Sequence, residues 1–359
     1  MTLPRRVFLG AALPPDEEAF TPRGLRIIEV LPEGTAMRAE LAAGDLVVSI
    51  GGRALRDLPS LAAALRVEGD VEIVFERGDE QISRTVEAVP APREEGLEYA
   101  ELAVDGTRLR TFTHHAVRPR ATVVAVQGIA CETVEGTPLA TLAAAWARAG
   151  YSAICFDKRG VGDSEGNATD FATELGDARA VAATVRGPLV VFGHSVGGII
   201  APLLARDGAI VYGAPVMPWI DCLVDSARRQ LALRGAGANE ISDRVAAIHR
   251  LTAAGELNGR SAEFHAQLAA HDTAATWRAV SAPVLVMRGE HDWVVDPEDQ
   301  ARIEQLAGGS TTIVDVRGLD HLLGWHHSRE RSLVDYGFGA ADDELANRTI
   351  AWLDEQLTR

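Results

Sequence analysis

A serine hydroxyl becomes a nucleophile only beside a base, on a backbone that lets it protrude. Gly193-His194-Ser195-Val196-Gly197 supplies the backbone. The apolar run Leu189-Val190-Val191-Phe192 before it reads as a buried strand. Gly198-Ile199-Ile200-Ala201-Pro202-Leu203-Leu204 after it reads as the start of a helix. A Gly-x-Ser-x-Gly between strand and helix is a sharp turn that lifts Ser195 Oγ above the edge of a sheet. Small residues are needed there because the two backbones pass too close for larger side chains.

An acid and a histidine are then expected behind later strands, in that order. The strand Val284–Arg288 runs into Gly289-Glu290-His291-Asp292-Trp293-Val294-Val295. The strand Thr312–Val316 runs into Arg317-Gly318-Leu319-Asp320-His321-Leu322. Asp292 is favoured over Glu290 and Asp296, since Asp296 before Pro297 suits a helix N-cap. His321 lies nearest its strand, ahead of His326 and His327, which are candidates for a pocket wall. His321 would take the serine proton, and Asp292 would fix its tautomer. The oxyanion formed on attack needs backbone donors, for which Val196 and Ile129 are the candidates. Cys131, in Gln127-Gly128-Ile129-Ala130-Cys131-Glu132, reads as a loop filler. His114, His115, His265 and His271 read as solvent or loop residues, with no metal-ligand pattern. Neither metal nor cofactor is expected.

These residues need a sheet to stand on. Strands are predicted at Tyr99–Val104, Arg108–His114, Thr122–Gln127, Ser152–Phe156, Leu189–Phe192, Ala209–Tyr212, Pro283–Arg288 and Thr311–Val316. Helices are predicted at Pro138–Ala149, Asp170–Arg186, Val196–Arg206, Pro297–Leu306 and Asp342–Leu357. A hairpin followed by alternating strands and helices means a mostly parallel sheet with helices on both faces. Ligands of such sheets bind at the carboxyl ends of the strands, where Ser195 falls. About residues 215–281 interrupt the alternation with helical stretches near Asp221–Leu233, Ile241–Ala253 and Ala262–Ala269. Trp219, Trp277 and Trp293 suit either a pocket lining or plain packing.

Val89-Pro90-Ala91-Pro92-Arg93-Glu94-Glu95-Gly96 has the composition of a linker, so residues 91–96 are expected to separate domains at 1–90 and 97–359. Ahead of it lie short strands at Leu25–Val30, Leu46–Ile50 and Val71–Phe75, with a helix near Leu58–Arg66.

Two resemblances follow from these motifs. Leu25 to Ala36 and Leu41 to Gly52, with their Gly44-Asp45-Leu46-Val47 and Ile50-Gly51-Gly52 turns, resemble a bacterial PDZ domain. Glu40 departs from it, since that family mostly has glycine there. The resemblance implies capture of an extended peptide, often a C-terminus, at Phe8-Leu9-Gly10-Ala11, with Leu61 and Leu65 lining the pocket. The remainder resembles the α/β-hydrolase family over roughly 97–359, with Asp157-Lys158-Arg159-Gly160-Val161-Gly162-Asp163-Ser164 similar to that family's turn after an earlier strand. That implies an α/β-hydrolase fold with Ser195 on the nucleophile elbow and the insertion as a helical cap. It implies a serine hydrolase, esterase first, acting on a small-molecule or peptide-linked ester or amide. A peptidase, an acyltransferase or cyclase, and a non-catalytic peptide-binding scaffold are the alternatives.

Composition sets limits. A formal net charge of −16 disfavours nucleic acid and anionic membranes as general partners. No apolar run approaches the length of a membrane span. Three cysteines without a CxxC suit a reducing, cytoplasmic compartment. Thr2 to Gly10 superficially resembles a twin-arginine signal, but its apolar stretch ends at Pro14-Pro15-Asp16-Glu17-Glu18 with no Ala-x-Ala site, so it is read as structure.

Overall fold

A computed structural model describes residues 3–14, 19–167, 170–335 and 339–357; the Pro15–Glu18 stop lies outside these. The chain divides into two compact units, one of 1–95 with Gly160–Gly166 and one of 96–159 with 167–359.

The first unit is β-rich. Its strands are β1 (Ala11–Ala12), β2 (Phe20–Thr21), β3 (Gly24–Arg26), β4 (Glu29–Val30), β5 (Leu46–Ile50), β6 (Arg53–Ala54), β7 (Asp70–Arg77) and β8 (Glu80–Glu87). Helices α1 (Thr35–Arg38) and α2 (Leu58–Ala64) accompany them. β2, β3, β5, β7 and β8 form an antiparallel path, while β1 pairs with β4 separately. The expected strand Leu25–Val30 is split into β3 and β4, with Ile28 turned outward at 50% exposure. Asp57 caps α2 by accepting from Ser60 N–H at 2.8 Å.

Glu40 follows α1 with φ +59, in the left-handed region that glycine occupies at no steric cost. The penalty for a Cβ in that region is about 1–2 kcal/mol, set against roughly 0.5–1 kcal/mol for glycine's freer unfolded chain. Glu40→Gly should therefore stabilise this unit by about 0.5–1 kcal/mol. Hydrogen exchange of the β5 and β7 amides would register it as slower opening, and unchanged or faster exchange would contradict it.

The second unit carries an eight-stranded sheet. Its strands are β9 (Leu97–Val104), β10 (Thr107–His114), β11 (Thr122–Val126), β12 (Ser152–Phe156), β13 (Leu189–His194), β14 (Gly208–Tyr212), β17 (Val284–Gly289) and β18 (Thr311–Val316). The order is β18-β17-β14-β13-β11-β12-β10-β9. All pairs from β18 to β12 are parallel, and β10 and β9 close one edge antiparallel. Continuous apolar runs such as Thr122-Val123-Val124-Ala125-Val126 make strands buried on both faces. Successive side chains alternate between faces. Val124 and Val126 accordingly join one core with Val191, Val211 and Val286. Val123 and Ala125 join the other with Val190, Phe192 and Ile210.

Helices α3 (Pro138–Arg148), α4 (Phe171–Ala183), α5 (Gly197–Leu204), α10 (Pro297–Leu306), α11 (Arg329–Val334) and α12 (Glu344–Leu357) flank the sheet strands in sequence. Between β14 and β17 lie α6 (Trp219–Leu233), α7 (Ala238–Ala254), the hairpin β15 (Glu256–Leu257) and β16 (Arg260–Ser261), α8 (Ala262–Ala270) and α9 (Thr273–Arg278). Ser261 caps α8, and Asp272 caps α9 by accepting from Ala275 N–H at 2.8 Å. Among the described residues no helix is long and apolar enough to cross a membrane.

Candidate active site

Ser195 sits between β13 and α5 with φ +53, and its N–H donates to the Tyr212 carbonyl at 2.9 Å. That left-handed φ is a strained state for a residue with a Cβ, and it aims the side chain off the strand end. The flanking glycines are forced by contact. A Cβ at Gly193 would lie 2.3 Å from the Gly197 carbonyl oxygen, and one at Gly197 only 2.2 Å from that of Val126.

His321, in the loop after β18, brings Nε2 to 2.9 Å from Ser195 Oγ. Its Nδ1 lies 3.0 Å from Asp292 Oδ2, in the loop after β17. A carboxylate only accepts, so Nδ1 carries the proton and Nε2 accepts from the serine hydroxyl. The other carboxylate oxygen, Oδ1, accepts from the Val294 and Val295 N–H groups at 2.8 and 2.9 Å. Burial opposes charge on Asp292, but His321 and those two donors outweigh it and hold the carboxyl below its usual range.

The histidine loop is fastened on several sides. His194 Nε2 donates to the His321 carbonyl at 2.7 Å, and Tyr212 Oη to the Asp320 carbonyl at 2.6 Å. The Asp320 carboxylate accepts from Leu322 and Gly324 N–H at 2.9 and 3.0 Å and pairs with His326 Nε2 at 3.0 Å. His326 is thus buried beside Asp320. His327 packs edge-on against Trp325, and neither histidine lines the cavity. Glu290 accepts from Gly318 N–H at 2.9 Å, and Asp296 caps α10 through Glu298 N–H at 2.7 Å.

Burial and the nearby His321 push His194 down to about 3. It stays neutral in the native protein while the unfolded ring protonates near pH 6.5. Between those values the unfolded state holds the extra proton, so stability is full above about pH 6.5 and falls as pH drops towards 3. His194→Gln keeps a donor but cannot titrate. It should flatten this acid limb by up to about 1.4 kcal/mol per pH unit in urea titrations across that window. An unchanged slope would contradict it.

Ser195 and His321 open onto a cavity of about 890 Å³. Trp219, Cys222 and Leu223 of α6 and Ile248 of α7 line it, as do Trp293 and Leu322. Trp219 and Trp293 face this space, whereas Trp277 is wholly buried in the core. Gly128 and Ile129, after β11, also line it. A Cβ at Gly128 would lie 3.1 Å from the Ser195 Cβ, so this loop packs against Ser195. Among the described residues neither the Ile129 nor the Val196 N–H finds an acceptor. Cys131 is exposed and does not line the cavity.

Sequence reasoning missed several supports. Gly213, with φ +59, leaves room for His321 and Asp292, since a Cβ there would lie 2.9 Å from the His321 ring and 3.2 Å from Asp292. Lys158 Nζ, buried, donates to the Gly128 carbonyl and, at 3.2 Å, to that of Ala130. Arg260 Nε donates to the Ile129 carbonyl at 2.8 Å. Glu174 joins the two cations, 3.4 Å from Lys158 and 2.5 Å from Arg260. His265, expected as a solvent or loop residue, is instead fully buried. Its Nδ1 accepts from Trp219 Nε1 at 3.0 Å and its Nε2 donates to the Leu257 carbonyl at 3.0 Å, because the surrounding helices leave it no water. His114 is buried too, at the end of β10. Among the described residues no group of three or more His, Cys, Asp or Glu is placed to hold a metal ion.

In the first unit, Gly10 takes φ +68, and a Cβ there would lie 2.6 Å from Gly34 Cα. The Leu9 and Gly10 N–H groups find no acceptor among the described residues, while the Phe8 carbonyl accepts from Thr35 N–H at 2.9 Å. Leu61 is buried and Leu65 half-buried, and the Leu65 carbonyl accepts from Val7 N–H at 2.7 Å.

The model of the alpha/beta hydrolase family matches residues 135–335, a span that contains Ser195, Asp292 and His321. The PDZ domain model matches residues 26–77. Among solved structures, Est1E from Butyrivibrio proteoclasticus with bound ferulic acid aligns at TM-score 0.52 and 15% identity, over 72% of this chain and 99% of its own. The alpha/beta hydrolase GrgF from Penicillium sp. sh18 aligns at TM-score 0.51 and 14% identity, over 73% and 99%. Both show the fold alone. Serine protease HTRA1 of Xenopus laevis is 36% identical over 63 residues, 18% of this chain. The chain spans only 14% of that relative's length.

Proposed function

Because this chain belongs to the alpha/beta hydrolase family, we propose that it is a serine hydrolase cleaving a carboxylic ester, or by the same chemistry a thioester or amide, through an acyl-enzyme on Ser195. The observation that carries this is the hydrogen-bonded line Ser195 Oγ, His321 and Asp292 at 2.9 and 3.0 Å, on the wall of a large cavity.

His321 Nε2 takes the hydroxyl proton as Oγ attacks the substrate carbonyl carbon. Asp292 holds the ring and stabilises its protonated form. The oxyanion is received by the unengaged Ile129 and Val196 N–H groups. His321 then protonates the leaving group, and the acyl group stays on Ser195. Water, deprotonated by the same nitrogen, attacks the acyl carbon; the bond to Oγ breaks, His321 returns the proton to Ser195, and the acid is released. The insertion helices α6 and α7 supply much of the cavity wall and so select the acyl or leaving group. The test is turnover of p-nitrophenyl esters of graded acyl length by wild type and Ser195→Ala. Ester cleavage by wild type alone supports the reading, and equal rates overturn it.

The PDZ unit acts as a recruiter of a peptide-bearing substrate or partner. Its support is the pair of unengaged N–H groups at Leu9 and Gly10, suited to a terminal carboxylate. Peptides with a free apolar C-terminus should bind in fluorescence polarisation, and their amidated forms should not. Leu65→Lys should weaken binding about tenfold, the loss expected for one half-buried leucine contact. Small-ester turnover should stay within about twofold of wild type in that variant. Equal binding of amidated peptides would sink this part. Three unpaired cysteines support a cytoplasmic setting.

A further inference from the structure

We infer that Lys158 and Arg260 are positioning residues that aim the Ile129 N–H at the reacting carbonyl, an inference that rests on the serine-hydrolase reading above. A trans peptide fixes its carbonyl and its N–H in opposite directions. The Gly128 carbonyl and the Ile129 N–H belong to one such plane. Lys158 Nζ holds that carbonyl from the protein interior, so the N–H on the other side faces away from Lys158. Among the described residues it finds no acceptor, and Ile129 lines the cavity that holds Ser195.

The neighbouring peptide is pinned too. Arg260 Nε takes the Ile129 carbonyl at 2.8 Å, and Lys158 reaches the Ala130 carbonyl at 3.2 Å. Three successive carbonyls are thus fixed by two cations that are 6% and 1% exposed. Around Lys158 Nζ stand two carbonyls and Glu174, which match the three protons of an ammonium.

Lys158 and Arg260 face the single carboxylate of Glu174, and burial works against the positive charge on Lys158 while Glu174 favours it. Arg260 belongs to β16 of the insertion, so the segment that walls the cavity also sets the donor loop.

Lys158→Met leaves Arg260 with Glu174, and Arg260→Met leaves Lys158 with Glu174, so each variant keeps one balanced pair. In each, kcat for p-nitrophenyl acetate should fall 10- to 100-fold with KM within threefold. The inhibition constant of an alkyl trifluoromethyl ketone, which forms an oxyanion hemiketal on serine, should rise by a similar factor. A folded variant with wild-type kcat, or a loss carried by KM with inhibitor affinity intact, would overturn the proposal. If neither variant folds, the wild-type ketone adduct decides. Ile129 N–H on the hemiketal oxygen with Gly128 still on Lys158 supports it, and any other orientation of that peptide overturns it. Wild type untouched by the ketone would remove the serine-hydrolase reading and this inference with it, whereas inhibited wild type with unaffected variants would remove this inference alone.

Discussion

Ser195→Ala should reduce kcat/KM for the best p-nitrophenyl ester by about 10⁴- to 10⁶-fold, with the fold intact. The size follows from the roles. Without Oγ there is no acyl-enzyme, and what remains is the rate enhancement from binding and the oxyanion donors, roughly 10³–10⁴ over water. Alanine suits the site because it removes only a hydroxyl whose hydrogen bond is to His321. Its Cβ keeps the same left-handed backbone, so stability should change little. Stopped assays with purified variant and circular dichroism check both halves of the statement. A variant retaining more than a hundredth of wild-type activity would mean that another group performs the attack.

Asp292→Asn should cost about 10⁴-fold in kcat at neutral pH, by a different route. Oδ1 accepts from two backbone N–H groups, so the amide oxygen will take that position and turn its NH₂ towards His321 Nδ1. A donor there selects the tautomer with its proton on Nε2, which cannot accept from Ser195. The loss should fall on kcat, with KM within a few fold, because Asp292 does not line the cavity. Asp292→Ala should be less informative, since it also frees the Val294 and Val295 donors. Equal loss in kcat and rise in KM for Asp292→Asn would instead indicate a collapsed pocket.

Fold and site differ in how far they could be read from the letters. The parallel sheet was legible because its central strands are apolar runs, as in β13 and β14, separated by helical stretches. Ser195, Asp292 and His321 stand at three of its strand ends, and the structure brings those three into hydrogen-bonding contact. The supports were not legible, because their meaning lies in contacts between distant segments. Arg260 meets the Ile129 carbonyl across 131 positions, and His194 meets the His321 carbonyl across 127. Nothing local marks Arg260, and His194 falls in the Gly-x-Ser-x-Gly motif at a position the motif leaves open. Gly213 looks like any glycine after a strand until the ring it clears is seen. In the β-rich unit, β8 reads Glu80-Gln81-Ile82-Ser83-Arg84-Thr85-Val86-Glu87, mostly polar and mostly exposed, so hydropathy passes over it. Glu40 is the reverse case: the departure from a family glycine is visible in sequence, and the backbone keeps the glycine's conformation regardless.

If His321 renders Ser195 nucleophilic, a fluorophosphonate probe will react at that hydroxyl. Digestion and mass spectrometry after labelling should place one phosphonate per chain on the peptide containing Ser195. His321→Ala should label at least a hundredfold more slowly. No adduct on wild type, or an adduct on Cys131 or another serine with Ser195 unmodified, would contradict the account.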